Sequence, residues 1–280
     1  MRIGIIGGSG FVGRHLSGRL RARGDEVIEA SLRDPAAAAG AVATCDAVVN
    51  LAGEPIGQRW TPAVKERMRT SRVDAPRALL DALAARNTKP AAYISASAVG
   101  YYSPSETATY TESSPHGTDF LGEVCAAWER EADRAADLRM RVAIVRTGVA
   151  LGPGGGALAQ MLPPFRLGAG GVIGNGKQWI SWIHIDDLAG VYLHAIDGAG
   201  GVFNATAPVP VTNAEFTHTL GHVLHRPTFL PTPTFALRAL LGEGADVLLT
   251  GARVLPEHTI AAGYRFAYAE LESALRSLLR

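Results

Sequence analysis

The sequence predicts an α/β fold, a doubly wound parallel sheet with a smaller lobe beside it, and three observations carry that reading. Short apolar, β-branched runs alternate with helical patterns through the first two thirds of the chain. The runs are apolar on both faces, as strands covered by helices on each side must be. At 280 residues, 47% hydrophobic and 19% charged, the chain is long enough to bury a core of that size.

The elements follow in order. RIGIIG is the first strand, a helix runs from Val12 to Arg23, EVIEAS is the second strand, and DAVVNLAG follows a short variable stretch. A second set has one long helix near Thr61 to Arg86, the strand AAYISAS, a helix near Phe120 to Ala136 and the strand RVAIVRTG. After Gly148 the run GPGGGALAQMLPPFRLGAGGVIGNGKQ is rich in Gly and Pro and reads as a substrate-side loop, with Met161, Leu162, Phe165 and Leu167 as apolar surface to pack. WISWIHIDDLAGVYLHAI returns to strand and helix, and GVFNAT is another strand. A Pro-rich connector around Pro227 to Pro233 precedes further helical patterns that close with Tyr268 to Leu279. The expected division is 1–151 with 178–207 for the sheet domain and 152–177 with 208–280 for the second lobe.

A net charge of +1 gives no reason to expect nucleic acid or a membrane surface as partner. The two cysteines, Cys45 and Cys125, are too few for a disulfide framework and suggest a reduced protein. The N-terminus enters a strand with no charged leader, and no apolar run approaches membrane-spanning length, so the expected compartment is the cytoplasm.

The first strand runs into GGSGFVG, with Gly7, Gly10 and Gly13 at GxxGxxG spacing. Such a turn lets backbone approach a pyrophosphate, whose charge is met by N–H groups at the helix start, here those of Ser9, Gly10, Phe11 and Val12. At the first strand of an alternating chain it points to a Rossmann-type dinucleotide site. An acidic residue ending the second strand would bind the adenosine ribose, whereas a cation and a hydroxyl would receive a 2′-phosphate. EVIEASLRD puts Ser31 and Arg33 there, which favours NADP(H); Asp34 just beyond keeps NAD open.

With GGSGFVG, NLAGE at Asn50 to Glu54, YISASAVGYY, VRTGVALGPGG and WIHIDDLAG in place, the chain resembles the extended short-chain dehydrogenase/reductase superfamily of sugar epimerases and dehydratases. NLAGEPI, Arg59–Trp60, SRV from Ser71, SAVGYY, AWE at Ala127 to Glu129, SWIHIDD, GARVLP and GYRF look more closely like its atypical branch of "epimerase family" proteins, over essentially the whole chain. The resemblance implies that Ala52, Gly53, Glu54, Arg72 and Ser95 lie beside the cofactor. It also implies that Ser97, ending its strand, steadies a substrate oxygen.

The superfamily's acid or base is a tyrosine, activated by a lysine four residues later. The helix that should carry them reads DFLGEVCAAWERE, which puts Leu121 or Phe120 at the tyrosine position and Cys125 or Val124 at the lysine position. The only lysines, Lys65, Lys89 and Lys177, follow Thr61, Ala85 and Ile173 by four, so the chain has no YxxxK. A phenol with a pKa near 10 is a poor base at neutral pH. Tyr101 and Tyr102, on the loop after Ser97, are the candidate replacements, with aromatic packing as the alternative.

His184 with Asp186 and Asp187 reads as structural, at the joint between the lobes. His218, His222 and His225 share a helix face without a cysteine or carboxylate at matching spacing, so no metal is expected. Two functions follow. One is an NADP(H)-dependent oxidoreductase or epimerase-like enzyme on a small polar substrate. The other is a non-catalytic NADP(H) sensor or scaffold with a protein partner, since some members of the resembled branch carry cell-division labels.

Overall fold

The computed structural model describes residues 1–279. Six strands form the sheet: β1 (Arg2–Ile6), β2 (Glu26–Ala30), β3 (Ala47–Asn50), β4 (Ala92–Ala98), β5 (Arg141–Thr147) and β6 (Gly201–Ala205). Their order is β6-β5-β4-β3-β1-β2, and every neighbouring pair is parallel. The chain steps outward from β1 to β2, then returns across β1 to β3. The strand order therefore reverses between β1 and β3, which opens a crevice at their C-terminal ends.

Helices α1 (Phe11–Ala22), α2 (Pro35–Val42), α3 (Pro62–Arg72), α4 (Asp74–Ala84), α5 (Phe120–Asp133), α6 (Gly156–Arg166), α7 (Ile185–Ile196) and α8 (Asn213–Leu224) follow. Leu16 and Leu20 of α1 and Leu188 and Tyr192 of α7 join Ile3, Ile5, Val49 and Ile94 in one apolar layer. Val42 of α2 and Leu79 and Leu83 of α4 join Ile6, Val48, Tyr93 and Ile144 in the other. Successive side chains on a strand point to opposite faces, so strands apolar at every position need both layers. A third cluster holds Leu158 and Phe165 of α6, Phe216 and Leu220 of α8, and Leu271 and Leu275 of the closing helix Leu271–Leu278, built around Leu151 and Trp182.

The structure corrects the sequence reading in three places. The variable stretch after β2 is a helix, because Asp34 accepts the Ala37 N–H at 2.9 Å as an N-cap and Pro35 occupies the first turn. The long helix from Thr61 divides at Val73. Pro76 has no N–H to give and its ring would clash with the carbonyl four residues back, so α4 must start afresh at Asp74. The Gly-rich stretch contains α6, whose period is masked by Gly154 and Gly155 before it and by Gly156, Pro163 and Pro164 within it.

His184 and Asp187 clamp the C-terminal tail onto the start of α7. Asp187 accepts the N–H groups of Ala267 and Tyr268 at 2.8 and 2.9 Å, and the His184 ring stacks on Tyr268 at 3.8 Å. On α8, His218 bonds Thr228, His222 lies 3.4 Å from Glu272, and His225 ends the helix with φ 53°. Among the described residues no group of three or more His, Cys, Asp or Glu is placed to hold a metal, and no helix is long and apolar enough to cross a membrane.

Candidate cofactor cleft and the polar network beside it

The Gly-rich turn lies at the reversal of strand order. Gly7 has φ +81°, and a Cβ there would come 3.0 Å from the Ala52 nitrogen, so this position needs glycine for backbone reasons alone. Gly10 differs. It is the N-cap of α1 in an extended conformation, no side chain caps the helix, and a Cβ would meet only the Gly7 carbonyl, at 3.3 Å. The protein itself leaves room above Gly10, beside first-turn N–H groups that have no partner within the helix. Phe11 packs against the glycine run after Leu151. Side chains on Gly152, Gly155 or Gly156 would collide with its ring, so this glycine run lies against the start of α1. Ser9 is exposed and Val12 half-buried.

At the end of β2, the Ser31 hydroxyl accepts the Arg33 N–H at 3.3 Å, and both residues are exposed. Of the nearby acids, Asp34 caps α2, and Glu29 pairs with Arg21 at 2.8 Å while its carboxylate lies against Gly8 of the turn. Among the described residues the Arg33 guanidinium has no acidic partner.

Beyond β3, the buried Asn50 holds the next loop. Its carbonyl oxygen accepts the Ala52 N–H at 3.1 Å and its amide donates to Tyr93 at 3.0 Å. Helix α3 grips the loop from outside. Ser71 accepts the Glu54 N–H at 2.9 Å, Arg67 meets the Glu54 carboxylate at 3.2 Å, and Arg72 donates to the Glu54 carbonyl at 3.0 Å. The Arg72 guanidinium would lie 3.0 Å from a Cβ on Gly53 and sits over the Trp128 ring. Burial pushes its pKa down; its hydrogen bonds go to carbonyls, not to a carboxylate. Beside it, Trp128 is 5% exposed and its indole N–H has no partner.

The end of β4 is built otherwise. Ser97 is 3% exposed and donates its proton to Glu129 of α5 at 2.6 Å. Glu129 takes a two-pronged grip from Arg146 of β5, at 2.8 and 2.7 Å. Arg146 also donates to the Tyr102 hydroxyl at 2.8 Å, and Tyr102 donates onward to Asn204 of β6 at 2.7 Å. Tyr102 is 2% exposed, and burial pushes its pKa up to about 12. With its proton given and a lone pair taken inside the core, the Tyr102 hydroxyl has no access to a ligand. Ser95, 1% exposed, donates to the Ala96 carbonyl. Tyr101 is half-buried, its ring 3.4 Å from the Arg146 guanidinium and edge-on to Tyr102 and His116. Its hydroxyl has no hydrogen bond among the described residues.

On α5, Leu121 packs against Gly100, and burial pushes the Cys125 thiol up to about 12, so it is inert at neutral pH. The partners of Ser97 and Tyr102 were missed by sequence reasoning, although a signal was present. Glu129 and Arg146 are charges set inside otherwise apolar patterns, AAWE and VAIVR, and a buried charge must find its opposite.

Residues 3–205 match the family described as NAD dependent epimerase/dehydratase, and residues 232–278 match a domain of unknown function, DUF1731. The chain is 42% identical over 294 residues to human "Epimerase family protein SDR39U1", covering all of both chains. It is 41% identical over 303 residues to the Arabidopsis thaliana "Epimerase family protein SDR39U1 homolog, chloroplastic", covering all of this chain and 87% of that one. The crystal structure of human SDR39U1 (isoform 2) with NADPH superposes with a TM-score of 0.90 at 39% identity, covering 99% of each chain. The parallel sheet, the Gly-rich turn at its switch point and these matches place the chain in the NAD dependent epimerase/dehydratase family, with a DUF1731 segment at its C-terminal end.

Proposed function

We propose that this chain binds NADP(H) in the crevice between β1 and β3 and reduces a small polar carbonyl compound held between the sheet and the second lobe. The observation that carries the reading is the open cradle above Gly10, beside the uncapped start of α1. Ser9, Phe11 and Val12 would hold the pyrophosphate on backbone N–H groups, with Gly10, whose own N–H is given to the Gly7 carbonyl at 3.1 Å, allowing the close approach, and Ser31 and Arg33 would hold the 2′-phosphate. Asp34 is held as the cap of α2 and Glu29 is paired with Arg21, so neither stands as a free carboxylate to select NAD. The human relative solved with NADPH supports the same cofactor here. Ala52, Gly53 and Glu54 form the facing wall, and Arg72, bonded to the Glu54 and Met68 carbonyls, braces that wall from behind Gly53.

When bound in this cleft, NADPH would supply the hydride for carbonyl reduction. The chain must supply a proton. Ser97 has already given its own to Glu129, so toward a substrate it would accept a hydrogen bond, not donate one. Tyr101, whose hydroxyl is uncommitted, is the donor we assign. A phenol without a lysine beside it donates more readily than it abstracts at neutral pH, which favours carbonyl reduction over alcohol oxidation.

A second reading rests on the same network. Leu121 and Cys125 stand where the superfamily has its tyrosine and lysine, and the core around Ser97 is saturated, as suits an NADP(H)-dependent sensor with a protein partner. Screening carbonyl compounds for NADPH oxidation decides between them. Turnover that falls about a hundredfold or more in Tyr101→Phe supports the enzyme. Tight NADPH binding with no turnover across a broad screen supports the sensor. Both cysteines are buried and free, which suits the reducing cytoplasm we propose as the compartment.

A further inference from the structure

The second lobe carries an apolar surface that the cofactor reading does not use. The segment 168–174 runs beside 227–234: Gly168 faces Pro227, Gly171 pairs with Phe229, Thr232 donates to the Val172 carbonyl at 2.9 Å, and Gly174 faces Thr234. Large side chains project from this surface, with Leu167 84%, Phe229 76%, Leu230 49% and Phe235 75% exposed. The helix Thr234–Leu241 that follows, TFALRALL, has no buried residue. Apolar faces of this size on a folded chain mark contact sites.

Charge says what the contact is. The chain has 26 acidic residues in 280, about one in eleven, yet none lies between Gly152 and Ile185 or between Phe216 and Gly242. Arg166 adjoins Leu167 and Arg226 adjoins Pro227, so the two arginines flank one end of the patch; both are exposed and neither has an acidic partner among the described residues. Arg238 pairs with Asp246 at 3.0 Å on the far rim. The overall charge of +1, which alone gives no reason to expect a membrane, conceals a local segregation of positive charge around apolar side chains. The two aromatic rings are about three-quarters exposed. A rigid partner would need a matching pocket for each, whereas a fluid, anionic one conforms to them.

We propose that this face docks the protein on an anionic membrane surface. Phe229, Leu230 and Phe235 enter the boundary between headgroups and acyl chains, and Arg166 and Arg226 meet lipid phosphates. The contact is peripheral and reversible, and it does not depend on the cofactor or on turnover.

The test is co-sedimentation of the full chain with phosphatidylcholine vesicles and with vesicles of 70% phosphatidylcholine and 30% phosphatidylglycerol. Partition should be at least about tenfold greater on the anionic vesicles and should fall about tenfold in 0.5 M salt, where the Debye length shrinks below about 5 Å. Phe229→Ser/Phe235→Ser and Arg166→Glu/Arg226→Glu should each lower it by about tenfold or more, with unchanged melting temperatures to show that the variants fold. No partition of the parent onto anionic vesicles, or equal partition onto both kinds, overturns the proposal. So does a dimer in sedimentation equilibrium that Phe229→Ser/Phe235→Ser dissociates, because the face would then belong to a second copy of the chain.

Discussion

The turn after β1 and the end of β4 both lie at C-terminal ends of the sheet, yet they treat hydrogen bonds in opposite ways. Around Gly10 the chain leaves N–H groups unmet and space unfilled. Around Ser97 the side chains meet one another: serine, glutamate, arginine, tyrosine and asparagine form one bonded chain across α5 and three strands. A polar group kept open in a folded protein is a place for a ligand, and one satisfied internally is part of the framework. The stretch that most resembles catalytic machinery is thus the more rigid of the two, and binding belongs to the stretch that is mostly backbone.

The sharpest way to break this contrast is to open the closed network. Arg146→Met would leave the Glu129 carboxylate buried without its counter-charge, and removing one partner of such a pair costs about 3–5 kcal/mol. Urea unfolding of the parent and variant measures it. A loss under about 1 kcal/mol would mean that water reaches the network and that Ser97 is freer than its bonds suggest.

The converse change is at Gly10. Gly10→Val should leave a folded protein, less stable than the parent by about 1 kcal/mol, because valine is a poorer N-cap than glycine and its Cβ would press on the Gly7 carbonyl at 3.3 Å. NADPH binding should fall by about a hundredfold or more, as side-chain atoms would fill the cradle. Calorimetry showing normal affinity would place the phosphates elsewhere.

How much of this was legible beforehand differs between the regions for the same reason. The open turn was readable because its chemistry is local: seven consecutive residues, a strand before them and a helix after, fix the N–H groups and the space. The closed network was not, since its members are separated by 32, 17, 44 and 102 positions and meet only through the pairing of β4, β5 and β6. Tyr101 and Tyr102 are neighbours in sequence with opposite fates, and nothing in YISASAVGYY tells which phenol turns inward. The alternating strands and helices, by contrast, follow from apolar runs that need cover on both faces. Helix α6 escaped because glycine and proline hid a period that Leu158, Met161, Leu162 and Phe165 still carry.

A smaller effect sharpens the account of the open region. Arg33→Ala should weaken NADPH binding by roughly tenfold, the range of a charge-assisted contact partly screened by water, and leave NADH nearly unchanged. Equal losses for both cofactors would remove Arg33 from the 2′-phosphate and return the choice to Ser31 and the backbone.

The smallest expected effect lies at the start of α7, where His184 is satisfied as fully as Ser97 but can change charge. Its Nδ1 accepts the Asp186 N–H at 3.0 Å, its Nε2 bonds Ser277 at 3.1 Å, and its ring stacks on Tyr268. Burial holds its pKa below the ordinary histidine value; Asp186 and Asp187 pull the other way, and His15 adds slightly to the depression. The unfolded chain therefore takes up the proton at a higher pH than the folded one. The clamp's contribution is complete above the unfolded pKa of about 6.5 and is lost as pH falls from there through the lower folded value. Protonation would also put a hydrogen on Nδ1, against the Asp186 N–H it now accepts. Urea midpoints measured from pH 7.5 to 5 should fall more steeply for the parent than for His184→Asn, which begins less stable but has no proton to take up. Parallel pH profiles would show that the clamp stays closed in either charge state, and that neutral His184 is not what holds the tail in place.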